Sequence, residues 1–120
     1  MNHQRLVLGR AGEEVASAFL SARGWILLER NYRCRYGEID LVGREGPVTV
    51  FVEVKTRASE RCGSPEEALT WRKRRRLKEA AACYMKAVPT APVRFDLVAV
   101  RVGEGEIRVK HYPNVVGRWS

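Results

Sequence analysis

Histidine and cysteine are scarce in this chain, and where they stand excludes more than how few they are. His3 and His111 lie at opposite ends, and Cys34, Cys62 and Cys83 are far apart with no Cys-x-x-Cys pair. That scatter argues against a zinc site, and an odd, widely spaced set argues against a disulfide framework. Reduced thiols in a cytoplasmic protein are the expectation. Long hydrophobic runs are missing too. No segment approaches the ~20 apolar residues that cross a bilayer, and the first residues carry no apolar run flanked by positive charge. The reading is a soluble protein with no membrane partner. There is no P-loop pattern, no internal repeat, no low-complexity tract, and nothing resembling a base-reading module, so sequence-specific recognition is not expected. Acidic residues are the last shortage: 14 Asp and Glu stand against 22 Lys and Arg, a net charge of +8. Such an excess favours a polyanionic partner, nucleic acid foremost. A cationic surface kept for solubility is the competing explanation.

What is present fits one domain spanning residues 1–120. A chain of 120 residues with 45% apolar content can build one real core and is too short for two. Residues 113–120 read as a C-terminal tail, from which Val115, Val116 and Trp119 could dock on the body.

The chain is organised around residues 48–55, Val-Thr-Val-Phe-Val-Glu-Val-Lys. So many β-branched and aromatic residues mark a central strand buried on both faces. Period-two alternation puts Phe51, Glu53 and Lys55 on one face, and Val50, Val52 and Val54 on the other. Charges at the end of such a strand are rare unless something there uses them.

Around it, residues 5–23 are predicted helical, with Leu8, Gly12, Val15, Ala16, Phe19 and Leu20 on one side and Gly24 as the stop. At ~100° per residue, Glu13 lies at the edge of that apolar side, and Glu14 points to solvent. Strands are predicted over 25–32 and 36–43, and Arg44-Glu45-Gly46-Pro47 is turn chemistry leading into the central strand. If that hairpin sets Leu41 opposite Val52 across a four-residue loop, then Glu38, Asp40, Glu53 and Lys55 share one face. A slip of one residue scatters them. Ser64-Pro65-Glu66-Glu67 predicts a capped start for a second helix running to about residue 87, with Leu69, Leu77, Ala80, Ala81, Tyr84 and Val88 buried. Lys73 falls on that stripe, among Arg72, Arg74, Arg75, Arg76 and Lys78. Two more strands, 94–102 and 106–112, form a hairpin around Gly103-Glu104-Gly105. The class is therefore α/β, a mixed sheet flanked by helices in the order α-β-β-β-α-β-β.

Asp40 and Glu53 side by side in a basic protein must find a cation or bind a divalent metal. Paired hard oxygen ligands suit Mg²⁺ (or Mn²⁺), which could polarise a phosphoryl oxygen, with Lys55 holding the attacking water and Glu13 completing the site. Each residue alone has a plainer explanation: Glu-x-Lys is common, Asp40 could be a strand-end carboxylate, and Glu13 an ordinary helix charge. Their order along the chain carries the signal.

Gly12-Glu13, the run Asn31-Tyr32-Arg33-Cys34-Arg35-Tyr36-Gly37-Glu38-Ile39-Asp40-Leu41-Val42, Phe51-Val52-Glu53-Val54-Lys55-Thr56-Arg57, Lys73 and Arg94-Phe95-Asp96 resemble the YraN family. The resemblance covers nearly the whole chain. It implies a restriction-endonuclease-like fold of the PD-(D/E)XK superfamily, similar to Holliday junction resolvases. On that resemblance Glu13, Asp40, Glu53 and Lys55 are the catalytic positions, and Asp40, Glu53 and Val54 hold the metal. Ile39 stands where the superfamily signature has Pro. The implied activity is a Mg-dependent endodeoxyribonuclease acting on DNA, branched in the resolvase case, with a homodimer for paired incisions. Arg35, Thr56, Arg57, Arg72, Lys73, Arg75 and Arg76 are the candidates for gripping the phosphate backbone, with Arg30 and Arg33 adding charge near the cleft. Trp25, Trp71 and Tyr84 read as core or packing residues ahead of the alternative, base-stacking platforms. The alternatives are a non-enzymatic nucleic-acid-binding domain that keeps the fold, and a basic protein that meets an acidic protein partner.

Overall fold

The computed structural model describes residues 3–58, 65–87, 92–103 and 105–116. The elements are α1 (His3–Ala22), β1 (Ile26–Cys34), β2 (Gly37–Glu45), β3 (Val48–Arg57), α2 (Pro65–Ala68), α3 (Trp71–Met85), β4 (Val93–Gly103) and β5 (Glu106–Tyr112). One five-stranded sheet runs β1-β2-β3-β4-β5, antiparallel except for the parallel β3–β4 pair. The fold is the mixed α/β arrangement that the sequence predicts. Among the described residues no helix is long and apolar enough to cross a membrane. Cys34 and Cys83 are free thiols.

β3 is central because its residues need cover on both sides, and Val50, Phe51 and Val52 are fully buried. Val50 and Val52 join Leu41, Val98 and Val100 beneath Ala16 and Leu20 of α1. Phe51 joins Ile39, Val42 and Leu97 beneath Leu77, Ala80 and Ala81 of α3. Its ring stacks on Phe95 at 5.6 Å and takes the edge of Tyr84 at 5.7 Å. The β2–β3 register sets Leu41 opposite Val52, but the strands pair on to Glu45–Val48. The turn is therefore the two residues Gly46 and Pro47 rather than four, with Gly46 at φ +58°, where the absence of a Cβ removes the strain.

The second helix is broken. Thr70 is extended (φ −65°, ψ 162°) and its hydroxyl accepts the Lys73 N–H at 3.3 Å. A Thr side chain that caps a new helix competes with continuing the old one. Leu69 stays in the core and Thr70 restarts the helix. The break has a consequence for Trp71. As the first residue of α3 it points away from the Leu77–Ala80–Ala81 stripe, and it is 64% exposed, not packed. Tyr84 and Trp25 do pack. The predicted cap Ser64 and the predicted core residue Val88 lie outside the described residues.

The chain beyond β5 belongs to the body as far as Val116. Val115 and Val116 are buried in the α3-side core, and the Val115 N–H donates to Phe95 O at 2.8 Å. Beside them Asp96, fully buried, accepts from both Arg94 Nε and Nη2 at 2.9 Å, from the Asn114 N–H at 2.9 Å, and pairs with His111 Nε2 at 2.7 Å. Arg94 extends the network to Glu45 at 2.7 Å, and Trp25 sets its ring edge on His111 at 5.6 Å. One carboxylate thus ties β4 to β5 and to the turn that follows it. Trp119 lies outside the described residues.

Candidate functional site

Beyond Leu41–Val52 the β2–β3 ladder ends, and a pocket of about 670 Å³ opens there, lined by Glu13, Asp40, Glu53, Val54, Lys55, Thr56 and Arg57 among others. Local backbone chemistry sets its shape. Asn31 lies between the pairs Arg30–Leu41 and Tyr32–Ile39 of β1 and β2, at φ +51°, a conformation Asn tolerates better than most residues. Alternation changes phase there. Arg30 reaches Glu14 on α1, while Tyr32 sets its ring against Tyr84 of α3. Likewise Leu41 lies in the α1-side core and Ile39 in the α3-side core. Strict alternation, which puts Glu38, Asp40, Glu53 and Lys55 on one face, therefore does not hold through Asp40. The Asp40 carboxylate instead crosses to β3 and accepts the Val54 N–H at 2.8 Å. It reaches the pocket by that route.

Glu13 arrives from the other side because α1 lies very close to β3. At Gly12 a Cβ would overlap Thr56 Oγ1 and press on Thr56 Cβ at 2.9 Å. Thr56, a candidate phosphate contact, thus spends its side chain first on this helix contact. Gly12→Ala should cost ~1–3 kcal/mol, as overpacking does, read by thermal unfolding. Adding Thr56→Ala, which removes the overlapped hydroxyl, should recover part of that loss. Simply additive losses would refute the contact.

The pocket strains the ionisation of the groups it holds. Asp40 is pushed up to about 7, first by burial and then by the Glu53 charge, against the pull of the Val54 N–H. Burial raises Glu53 as well, opposed by the cations of Lys55 and Lys73. Lys55 is brought down to about 8 by burial, then by hydrogen bonding with Lys73 and by its charge. Lys73 is exposed by area, yet it acts directly on the site. Among the described residues no group of three or more His, Cys, Asp or Glu side chains is arranged to hold a metal ion. A cation here would rest on the two carboxylates, with water filling the rest of its shell.

A raised carboxyl has a pH signature. Folded Asp40 keeps its proton up to about 7, whereas the unfolded chain loses it near 3.8. Between those values the folded state binds more protons, so its contribution to stability is complete below pH ~4 and lost as pH rises toward ~7. Unfolding of chelator-treated protein should show a negative slope in that window. Asp40→Asn, whose amide oxygen can still accept from Val54, should reduce that slope, leaving the part that comes from the raised Glu53.

The basic candidates divide. Lys73, Thr56 and Arg57 reach the site, whereas Arg72, Arg75 and Arg76 lie exposed along α3. Arg35 sits at the β1–β2 turn with its guanidinium 5.2 Å from the Tyr36 ring centre. Arg30 and Arg33 are engaged by Glu14 and Glu38, so they add less free charge than their number implies. Glu14 is exposed as predicted, but paired. Glu38 does not line the pocket, although its charge helps to raise both carboxyls. Sequence reasoning missed the Asn31 phase change and the closeness of Gly12 to Thr56. Asn at mid-strand and a Gly inside a helix were the only signals for them.

Comparison with known proteins gives relatives but no activity. Residues 12–100 match the uncharacterised protein family UPF0102. The chain is 48% identical to a UPF0102 protein of Syntrophomonas wolfei over 109 residues, 89% of this chain and 95% of that one. It is 52% identical to a UPF0102 protein of Frankia alni over 107 residues, 87% and 89% of the two chains.

Proposed function

Since the chain belongs to the uncharacterised protein family UPF0102, whose name assigns no activity, we propose from its site that it is a metal-dependent DNA endonuclease that acts on branched strands. The observation that carries this reading is the convergence of Glu13, Asp40, Glu53 and Lys55 on one pocket. Asp40 and Glu53, both raised by burial, are the donor set that a hard dication such as Mg²⁺ or Mn²⁺ neutralises. Such an ion, when bound, would polarise a phosphoryl oxygen and lower the pKa of water. The chain's own residues do the rest. Lys55, held down to about 8, can exchange a proton at Nζ with the attacking water near neutral pH and offset charge on the phosphorane. Lys73 keeps Lys55 in that range. Val54 fixes the Asp40 carboxylate through its N–H, and Arg57 at the rim meets the flanking phosphate. A junction needs two cuts, which asks for two copies of the chain, and the free thiols suit the reducing cytoplasm.

The test is incubation with four-way junction, flap, single-stranded and duplex DNA, with Mg²⁺ or Mn²⁺ and with chelator. Cutting of the branched substrates that chelator stops is the expected result. Salt-sensitive binding with no cutting would leave a nucleic-acid-binding domain. No DNA affinity would leave a basic protein with an acidic protein partner.

A further inference from the structure

The largest apolar side chain on the basic helix is turned outward. Trp71 is 64% exposed, in a chain whose other described tryptophan is buried. It opens α3, and the Arg75 guanidinium lies over one face of the indole, 5.6 Å from the ring centre. A shallow groove of about 190 Å³ lies there, lined by Trp71, Arg74, Arg75, Lys78 and Val116. Neither core packing nor solubility accounts for an indole held open among cations. Isolated exposed apolar residues are ordinary, but an aromatic face in a cationic groove is a recognition surface for a ring that carries negative charge nearby.

We propose that Trp71 is a stacking platform for an unpaired nucleobase of a DNA strand leaving the pocket. This rests on the nuclease reading above and names what that site distinguishes. Three observations converge on this occupant. Trp71 is two residues before Lys73, whose charge acts on Lys55 and Glu53, so the two lie at the same end of α3 but on nearly opposite sides of it, and a strand leaving the pocket reaches Trp71 by passing around the start of the helix. The residues beside the indole, Lys78 and an Arg75 that is shared with Glu79 at 3.7 Å, supply the charge that a phosphate backbone requires. A second copy of the chain is disfavoured on the same surface, because it would bring two strongly basic faces of +8 molecules together. Every base has a π-face, so stacking needs no sequence. In a duplex those faces are covered, and at a branch point or a single-stranded flank they are free.

The experiment is fluorescence anisotropy of the full chain in chelator, with labelled oligothymidylate and with a blunt duplex of the same length. Trp71→Ala should weaken oligothymidylate binding by about ten- to a hundred-fold, leave duplex binding within about two-fold, and be rescued largely by Trp71→Phe. Equal affinity of wild type and Trp71→Ala for the single strand overturns the proposal. So does an equal loss on both probes, which would make the site a plain phosphate grip. A change of molar mass in light scattering between the two proteins also overturns it, because a second copy would then be the occupant. The readout is metal-free. Asp40→Asn should keep the Trp71-dependent preference, so failure to cut and failure to stack are separate outcomes.

Discussion

Lys55→Ala should lower cleavage of a four-way junction by about a thousand-fold, within the range of ~10²–10⁴ that a positioned proton-transfer group contributes, and Asp40→Asn should abolish the metal-dependent cleavage, each leaving binding nearly intact. The two substitutions fail for different reasons. Lys55→Ala removes the Nζ that exchanges a proton with water, and also one of the cations that restrain Glu53. Asp40→Asn keeps an acceptor for the Val54 N–H, so the strand geometry survives, but it removes a charge that a dication needs. Because charged Asp40 is disfavoured by burial, the Asn variant should unfold at a higher temperature than the wild type near pH 8 in chelator. Lost cleavage in a protein that is more stable, not less, separates chemistry from folding. Wild-type rates in both variants would remove the enzyme reading altogether.

Asp96→Ala should be the most damaging single change to stability, about 3–5 kcal/mol, read as a large fall in melting temperature. Asp96 is fully buried, and its loss would leave Arg94, His111 and the Asn114 N–H without their common acceptor. Burial alone would raise its pKa, but His111, Arg94 and the Asn114 N–H together hold it below the ordinary carboxylate range. The sign is opposite to that of Asp40. Asp96 contributes stability above the unfolded value of about 3.8 and loses it as pH falls through its lower folded pKa. Asp96→Asn, which retains one acceptor oxygen, should cost less than Asp96→Ala. Equal, small losses in both would show that the network does not tie β4 to β5 as described.

The two carboxylate predictions also mark what could be read from the chain and what could not. The run of valines around Phe51 made β3 legible as a doubly covered strand, and the turn residues Gly46 and Pro47 made the hairpin legible, including Leu41 opposite Val52. Residues joined by short loops, and patterned by burial, declare themselves locally. The route of Asp40 to the pocket was hidden because period-two reasoning assumes an unbroken phase, and one Asn at positive φ changes it. The break at Thr70 was hidden for a similar reason: a cap inside a helical pattern looks like an ordinary polar position until its hydroxyl is seen on the Lys73 N–H. Asp96 gathers residues from β4, β5 and the following turn, and no local pattern announces such a network. Trp71 was misread as packing because that judgement followed residue type, and the helix restart decided its direction.

The measurement that bears most directly on the pocket is a Mn²⁺ titration of chelator-stripped protein at pH 8, followed by electron paramagnetic resonance. Wild type should take up Mn²⁺ saturably, and the double variant Asp40→Asn, Glu53→Gln should show no saturable uptake. Equal uptake by both proteins would mean that the two carboxylates do not hold the ion, and the proposed chemistry would lose its foundation.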